Sequence, residues 1–146
     1  MSKSDFWENG ILALLFNGTA ITGVADNTGT SPLTNLYLRL YTAATTDSQN
    51  STTNETAYTN YAAFASTRNT NASTGWAVTG NSVSPQADFD FPEVGATAGA
   101  ALQGFMVCSA ATGDVNNFYH GTLSPNITVA TGVIPRIKST STITED

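Results

Sequence analysis

The first apolar positions of the chain recur at the spacing of a helix, and nearly all later ones at the spacing of a sheet. Trp7, Ile11, Leu14 and Leu15 fall three or four apart, the period of one helical face, and Asn17-Gly18 stops the run. Asp5 followed by Glu8 has capping-box spacing, with Asp in place of Ser or Thr. Together these signals predict a helix over 5–16. Gly10 weakens it by about 1 kcal/mol relative to Ala. An isolated helix this short is marginal in water, so its apolar face needs a partner, either the open end of its own core or a neighbouring subunit.

After Phe16 the pattern changes to period two. In 34–42, Leu36, Leu38 and Leu40 share one face while Asn35, Tyr37, Arg39 and Tyr41 share the other, the signature of a half-buried strand. Further strands are predicted over 61–67, 75–79, 82–91, 102–109, 117–123, 127–129 and 133–143, most of them separated by Gly, Asn or Pro. The segment 47–56 contains no apolar residue and is predicted to be a solvated loop. The expected fold class is therefore all-β: a single-domain β-sandwich, jelly-roll-like, with a short amphipathic N-terminal helix. The expected division is an N-terminal helical segment, 1–18, and a β-sandwich domain, 19–146.

Composition narrows the function classes. The 146 residues are about one domain's worth. Only 11% are charged, against a typical value of about 25%. Thr, Asn and Ser together supply 50 residues, so the expected surface is polar but uncharged. The net charge is −6, and the basic residues Lys3, Arg39, Arg68, Arg136 and Lys138 form no run. Binding to phosphates needs several basic groups on one surface, which argues against nucleic acid and against an anionic membrane as partners. The start carries acidic residues before a short apolar stretch, which reads as neither a signal peptide nor a membrane span, so synthesis in a cytoplasm is expected.

Candidate chemistry is sparse. Cys108 is the only cysteine and lies in the apolar run Phe105-Met106-Val107-Cys108, where a buried thiol is expected. His120 is the only histidine, and no nucleophile-elbow motif accompanies it. Asp88 and Asp90 share one face of a predicted strand opposite Phe89 and Phe91, a spacing that suits either calcium or a plain polar face over an aromatic core. Gly95 to Gly99 lacks the phosphate-loop pattern and reads as a turn. Tyr61 and Trp76 are aromatics near uncharged loops, where sugar platforms occur, although a tryptophan in a sandwich is more often core. No enzymatic activity, metal or cofactor is expected.

The order of segments resembles a family of small bacteriophage virion proteins. The match runs through Phe6-Trp7-Glu8-Asn9, Leu14-Leu15-Phe16-Asn17, Leu36-Tyr37-Leu38-Arg39-Leu40-Tyr41-Thr42-Ala43 and Asn54-Glu55-Thr56-Ala57-Tyr58-Thr59-Asn60-Tyr61-Ala62. It continues through Trp76-Ala77-Val78-Thr79-Gly80-Asn81, Phe91-Pro92, Gly121-Thr122-Leu123 and Thr142-Ile143-Thr144. Members are often labelled phage tail fibre proteins, and they are similar in size and β-rich makeup to the capsid cement, or decoration, proteins of tailed phages. Where many members carry an Arg soon after the Tyr-Ala pair, this chain has Ala62-Ala63-Phe64. The resemblance implies no catalytic residues.

The leading expectation is a capsid cement protein on the outer capsid surface of the virion. It would bind the phage major capsid protein across adjacent capsomers, as a homo-oligomer, dimer or trimer. The alternatives are a tail or tail-fibre-associated virion module, and a carbohydrate-binding protein. Candidate capsid or inter-subunit contacts are Phe6, Trp7, Ile11, Leu14 and Leu15 on the helix, and Asp47, Asn50 and Asn54 in the polar loop.

Overall fold

The computed structural model describes residues 4–21, 25, 26, 28, 32–96 and 99–145. Lys3, and Thr97 and Ala98 of the expected 95–99 turn, lie outside the described residues. The elements are α1 (Asp5–Asn17), β1 (Asn35–Tyr41), β2 (Phe64–Thr67), β3 (Trp76–Thr79), β4 (Ser82–Pro85), β5 (Phe89–Asp90), β6 (Leu102–Cys108), β7 (Asn117–Ile127), β8 (Arg136–Ile137) and β9 (Ile143–Thr144). Among the described residues the fold is all-β apart from one N-terminal helix, as the hydrophobic pattern predicts. The sheets have orders β2-β1-β6-β7, β3-β4-β9 and β5-β8. Packing divides the chain into two compact units, one of Met1–Asn35, Ser66–Phe89 and Ile137–Asp146, the other of Leu36–Ala65 and Asp90–Arg136.

In the first unit α1 packs on β3 and β4. Ser4, extended, is the N-cap and offers no side-chain bond, so Asp5 and Glu8 lie inside the first turn. There they complement the helix dipole and form no capping box. Gly18 ends the helix in the left-handed conformation (φ 66), and its N–H reaches Leu14 O at 3.1 Å, while Thr19 N–H reaches Ala13 O at 3.0 Å. Arg68 supplies the cation that the last turn lacks: its Nε donates to Leu15 O at 2.6 Å and its Nη2 to Leu14 O at 2.7 Å. At Gly10 an added Cβ would sit 3.2 Å from Ile21, so the glycine that weakens the helix admits a close neighbour.

The packed face of α1 is not the one its spacing predicts. Glu8, Leu12 and Phe16 are buried, whereas Ile11, Leu14 and Leu15 are half-buried and Phe6 and Trp7 are exposed. Apolar side chains almost encircle this helix, so periodicity alone cannot select a face. Aromatic packing selects it: Phe16 meets Trp76 edge-on at 4.7 Å, and Trp76 meets Phe89 edge-on at 5.2 Å.

In the second unit β1 and β6 are the central strands and pair antiparallel, with Leu38 opposite Val107 and Leu40 opposite Phe105. Leu36, Leu38 and Leu40 are buried as predicted, together with Leu102, Met106, Val107 and Cys108. Burial pushes the Cys108 thiol above its ordinary pKa, as befits a core thiol.

Several boundaries differ from the sequence expectation. The predicted strand 61–67 starts only at Phe64, because Tyr61 N–H bonds Tyr58 O across a turn. The predicted 82–91 breaks into β4 and β5 after Pro85, where Gln86 N–H turns to Gly75 O. The predicted 133–143 yields only β8 in its first half and β9 at its end. Conversely, 117–123 and 127 form one strand, β7, which runs through Pro125. Pro125 falls where the register with β6 shifts between the Gly104–Thr122 and Leu102–Ile127 pairs, and an edge strand tolerates a proline at such a bulge.

The choice of helix face is measurable. Phe16→Ala is expected to cost about 3–5 kcal/mol in urea unfolding, and Phe6→Ala, 66% exposed, less than about 0.5 kcal/mol. The face predicted from spacing alone would make Trp7→Ala the costlier change.

Candidate functional site

Alternation along β1 places Arg39 and Tyr41 on the polar face, yet both are fully buried. A buried guanidinium requires acceptors on every side, and the chain supplies them from two loops. Arg39 Nε donates to Glu55 Oε1 at 2.8 Å, Nη2 donates to Glu55 Oε2, and Nη1 donates to Gly113 O at 2.9 Å. The hydroxyl of Tyr61 donates to Glu55 Oε1 at 3.0 Å and accepts the Leu40 N–H at 3.0 Å. The bonds to Glu55 hold the Arg39 pKa above its usual value, and burial raises that of Tyr61. This fork-on-fork pairing suits Arg and not Lys.

The polar segment predicted as a solvated loop is therefore half-incorporated into the fold. Glu55 bridges to Tyr41 across β1's end, Thr56 N–H bonds Leu40 O at 2.9 Å, and Thr42 N–H bonds Asn54 O at 2.9 Å. Ser51 is buried: its carbonyl accepts the Tyr41 hydroxyl at 2.7 Å, and its Oγ accepts the Val115 N–H at 2.9 Å. The correction has a simple cause. A polar loop leaves water when the strand beside it presents donors and a charge that must be satisfied.

Above this network lies a recess of about 350 Å³, lined by Glu55, Tyr58, Asn60, Tyr61, Ala62 and Thr112 among others. Tyr58 and Tyr61 pack edge-on at 5.3 Å. The Tyr58 hydroxyl donates to Pro92 O at 3.0 Å, and burial pushes its pKa up to about 12. Asn60 takes a left-handed backbone (φ 79) and donates from Nδ2 to Glu93 O at 3.3 Å.

The sequence-predicted contact residues fall into two groups. Phe6, Trp7, Ile11, Leu14 and Leu15 lie on α1 in the first unit. Asp47, Asn50 and Asn54 are exposed in one loop of the second unit. Asp47 Oδ1 lies 2.6 Å from His120 Nε2, Asn50 Oδ1 accepts the Thr52 N–H at 2.8 Å, and Asn54 adopts φ 59. His120 stands opposite Met106, and Cys108 stands opposite Asn117, so the pair is out of register for joint chemistry. Asp90 is engaged by Arg136, whose Nη2 reaches Oδ2 at 2.8 Å, and Asp88 accepts the Ser139 N–H at 2.8 Å. The two carboxylates thus serve separate contacts and do not converge on a calcium-type site. Trp76 is core. Sequence reasoning missed the Arg39, Glu55 and Tyr61 network. The available signal was scarcity: Glu55 is the only charged residue in 48–67.

Removing the guanidinium strands a largely buried carboxylate. Arg39→Met is expected to destabilise by about 3 kcal/mol in chemical denaturation, and adding Glu55→Met to recover part of that loss. Equal loss in single and double variants would mean that the pair is not coupled.

No curated protein matches the chain. The family model described as podophage GP4 fiber I protein gp80 matches residues 2–144, nearly the whole sequence and both compact units. The chain belongs to this family of phage fibre proteins, and so to the structural proteins of the bacteriophage virion.

Proposed function

We propose that the chain is a tail-fibre-associated structural subunit that works by adhesion and not by catalysis. The family match over 2–144 carries this reading. The resemblance of such virion proteins to capsid cement proteins in size and β-rich makeup puts a cement role first. A fibre-protein family favours the tail-associated alternative, and no feature of the recess or of the exposed helix selects the head. The groups with chemical potential are already occupied structurally: the Cys108 thiol in the core and the His120 ring against Asp47. Among the described residues no helix is long and apolar enough to cross a membrane.

The surface also suits self-assembly. β7 is the outermost strand of its sheet and 11 residues long, and residues 115–135 contain no Asp, Glu, Lys or Arg. Edge strands are ordinarily blunted by charge, proline or bulges; β7 carries Pro125 and register shifts near both ends, so its regular stretch is Tyr119–Thr122, which itself holds no proline or bulge. On a molecule of net charge −6, the strand itself adds no carboxylate to a contact between two copies, and the exposed Asp47 carboxylate reaches it only at His120. Antiparallel β7 pairing about a two-fold axis would make the contact self-complementary.

Two measurements test the proposal. Gold-labelled antibody on purified particles is expected to mark the tail region, and label dispersed over the head would overturn the fibre reading in favour of cement. Phe118→Lys combined with Thr122→Lys is expected to shift the purified protein from oligomer to monomer in sedimentation, with unchanged melting. A wild-type monomer, or an oligomer indifferent to the lysines, would reject β7 as the interface.

A further inference from the structure

We propose that self-association through β7 is controlled by protonation of His120, which cancels the Asp47 carboxylate at the edge of the sheet. The inference rests on β7 as the contact between copies and adds the regulation of that contact. Residues 43–47 run from the end of β1 across the face of the four-stranded sheet, over β6, to β7. Gly104 on β6 permits the crossing, since an added Cβ would lie 2.8 Å from Ala43 O and 2.9 Å from Thr45 Cγ2. On the far side Thr45 is buried, with Oγ1 3.1 Å from Gly121 O, 3.3 Å from Phe105 O and 3.5 Å from His120 Nδ1. Asp47 Oδ1 lies 2.6 Å from His120 Nε2. This chain of contacts fits the imidazolium. Its Nε2–H donates to Asp47 and its Nδ1–H to Thr45 Oγ1, which leaves the Thr45 proton for a backbone carbonyl. In the neutral ring that still bonds Asp47, Nδ1 carries no proton, and the single Thr45 proton serves either Nδ1 or the carbonyl.

The other ionisable groups on this face are already settled. Met106 stands opposite His120 and Arg39 opposite Met106, and Arg39 is paired with Glu55. Cys108 and Tyr41 follow on the same face, and burial raises the pKa of both, so neither ionises near neutrality. Histidine ordinarily changes charge between pH 5 and 8, and His120 is the only one in the sequence. At the upper end of that range the Asp47 side chain, 98% exposed, leaves a negative charge beside β7, and at the lower end the pair sums to zero. A two-fold axis through Tyr119–Thr122 sets the two His120 Cα atoms within roughly 14 Å, from a rise of about 3.3 Å per residue and a strand spacing of about 4.8 Å. That span is comparable with the screening length of about 10 Å in 0.1 M salt and well inside the value of about 30 Å in 0.01 M salt. Each copy therefore feels the state of the other's pair, and on a molecule of net charge −6 the lost carboxylate charge favours approach.

The test is sedimentation of the full chain at about pH 7.5 and about pH 5.5, in about 0.01 M salt where screening is weak. Association is expected to tighten about threefold or more on acidification, and the gain to shrink in about 0.5 M salt. His120→Gln is expected to leave association at its neutral-pH strength throughout, which separates this ring from every other titrating group. Asp47→Asn is expected to reverse the response, because the two imidazolium charges then face one another uncompensated. Both positions are partly or fully exposed, so neither change should move the melting temperature much. A gain that survives His120→Gln, or one undiminished in Asp47→Asn, would overturn the proposal. Association of constant strength across the pH range would overturn it while leaving β7 pairing in place. A monomer at both pH values, or an acid-strengthened oligomer indifferent to Phe118→Lys with Thr122→Lys, would remove β7 pairing and its control together.

Discussion

A guanidinium taken out of water costs several kcal/mol unless acceptors replace its hydration, and Arg39 sits fully buried at the centre of the four-stranded sheet. The second unit is arranged around meeting that demand. Glu55 arrives from one loop and the Gly113 carbonyl from another, and Tyr61 secures Glu55 while bonding the backbone of β1. Because these bonds link 39–40 to 55, 61 and 113, a single side chain ties together segments distant in sequence. Such a pair adds little net stability over an apolar substitute, but it punishes any arrangement in which the loops are elsewhere. That is how a chain with few charged residues specifies where its long polar segments go.

The first unit solves a different problem by apolar means. A 13-residue helix is too short to persist alone, and the edge-on stack of Phe16, Trp76 and Phe89 gives it a surface to lie on. Arg68 then meets the carbonyls that the helix end leaves open. One arginine in each unit thus acts as a backbone or carboxylate organiser. In a sequence with only five basic residues, this use of two of them explains why little basic surface remains for phosphate binding.

For a fibre-family protein, the distribution of charge and polarity is itself functional material. A surface of Thr, Asn and Ser offers hydrogen bonds with little long-range repulsion. Glu55, whose pairing with Arg39 orders the fold, also lines the recess. The loop 54–62 that carries Glu55 and Tyr61 is among the segments in which the sequence resembles other phage virion proteins.

The sequence by itself determined the elements whose pattern is local. The period-two run of β1, the helical start, the Asn17-Gly18 stop and the buried Cys108 all follow from spacing and side-chain type, because neighbouring residues alone decide them. Tertiary structure decided what depends on partners far along the chain. It chose Leu12 and Phe16 over Trp7 and Ile11 as the packed face, since Trp76 lies sixty residues from Phe16. It buried Arg39 and folded Ser51, Glu55 and Thr56 against β1, where alternation and polarity had pointed outward. A charged or polar residue reads as solvent-facing until its counterpart is known, and here the counterpart of Arg39 is sixteen residues away on one side and seventy-four on the other.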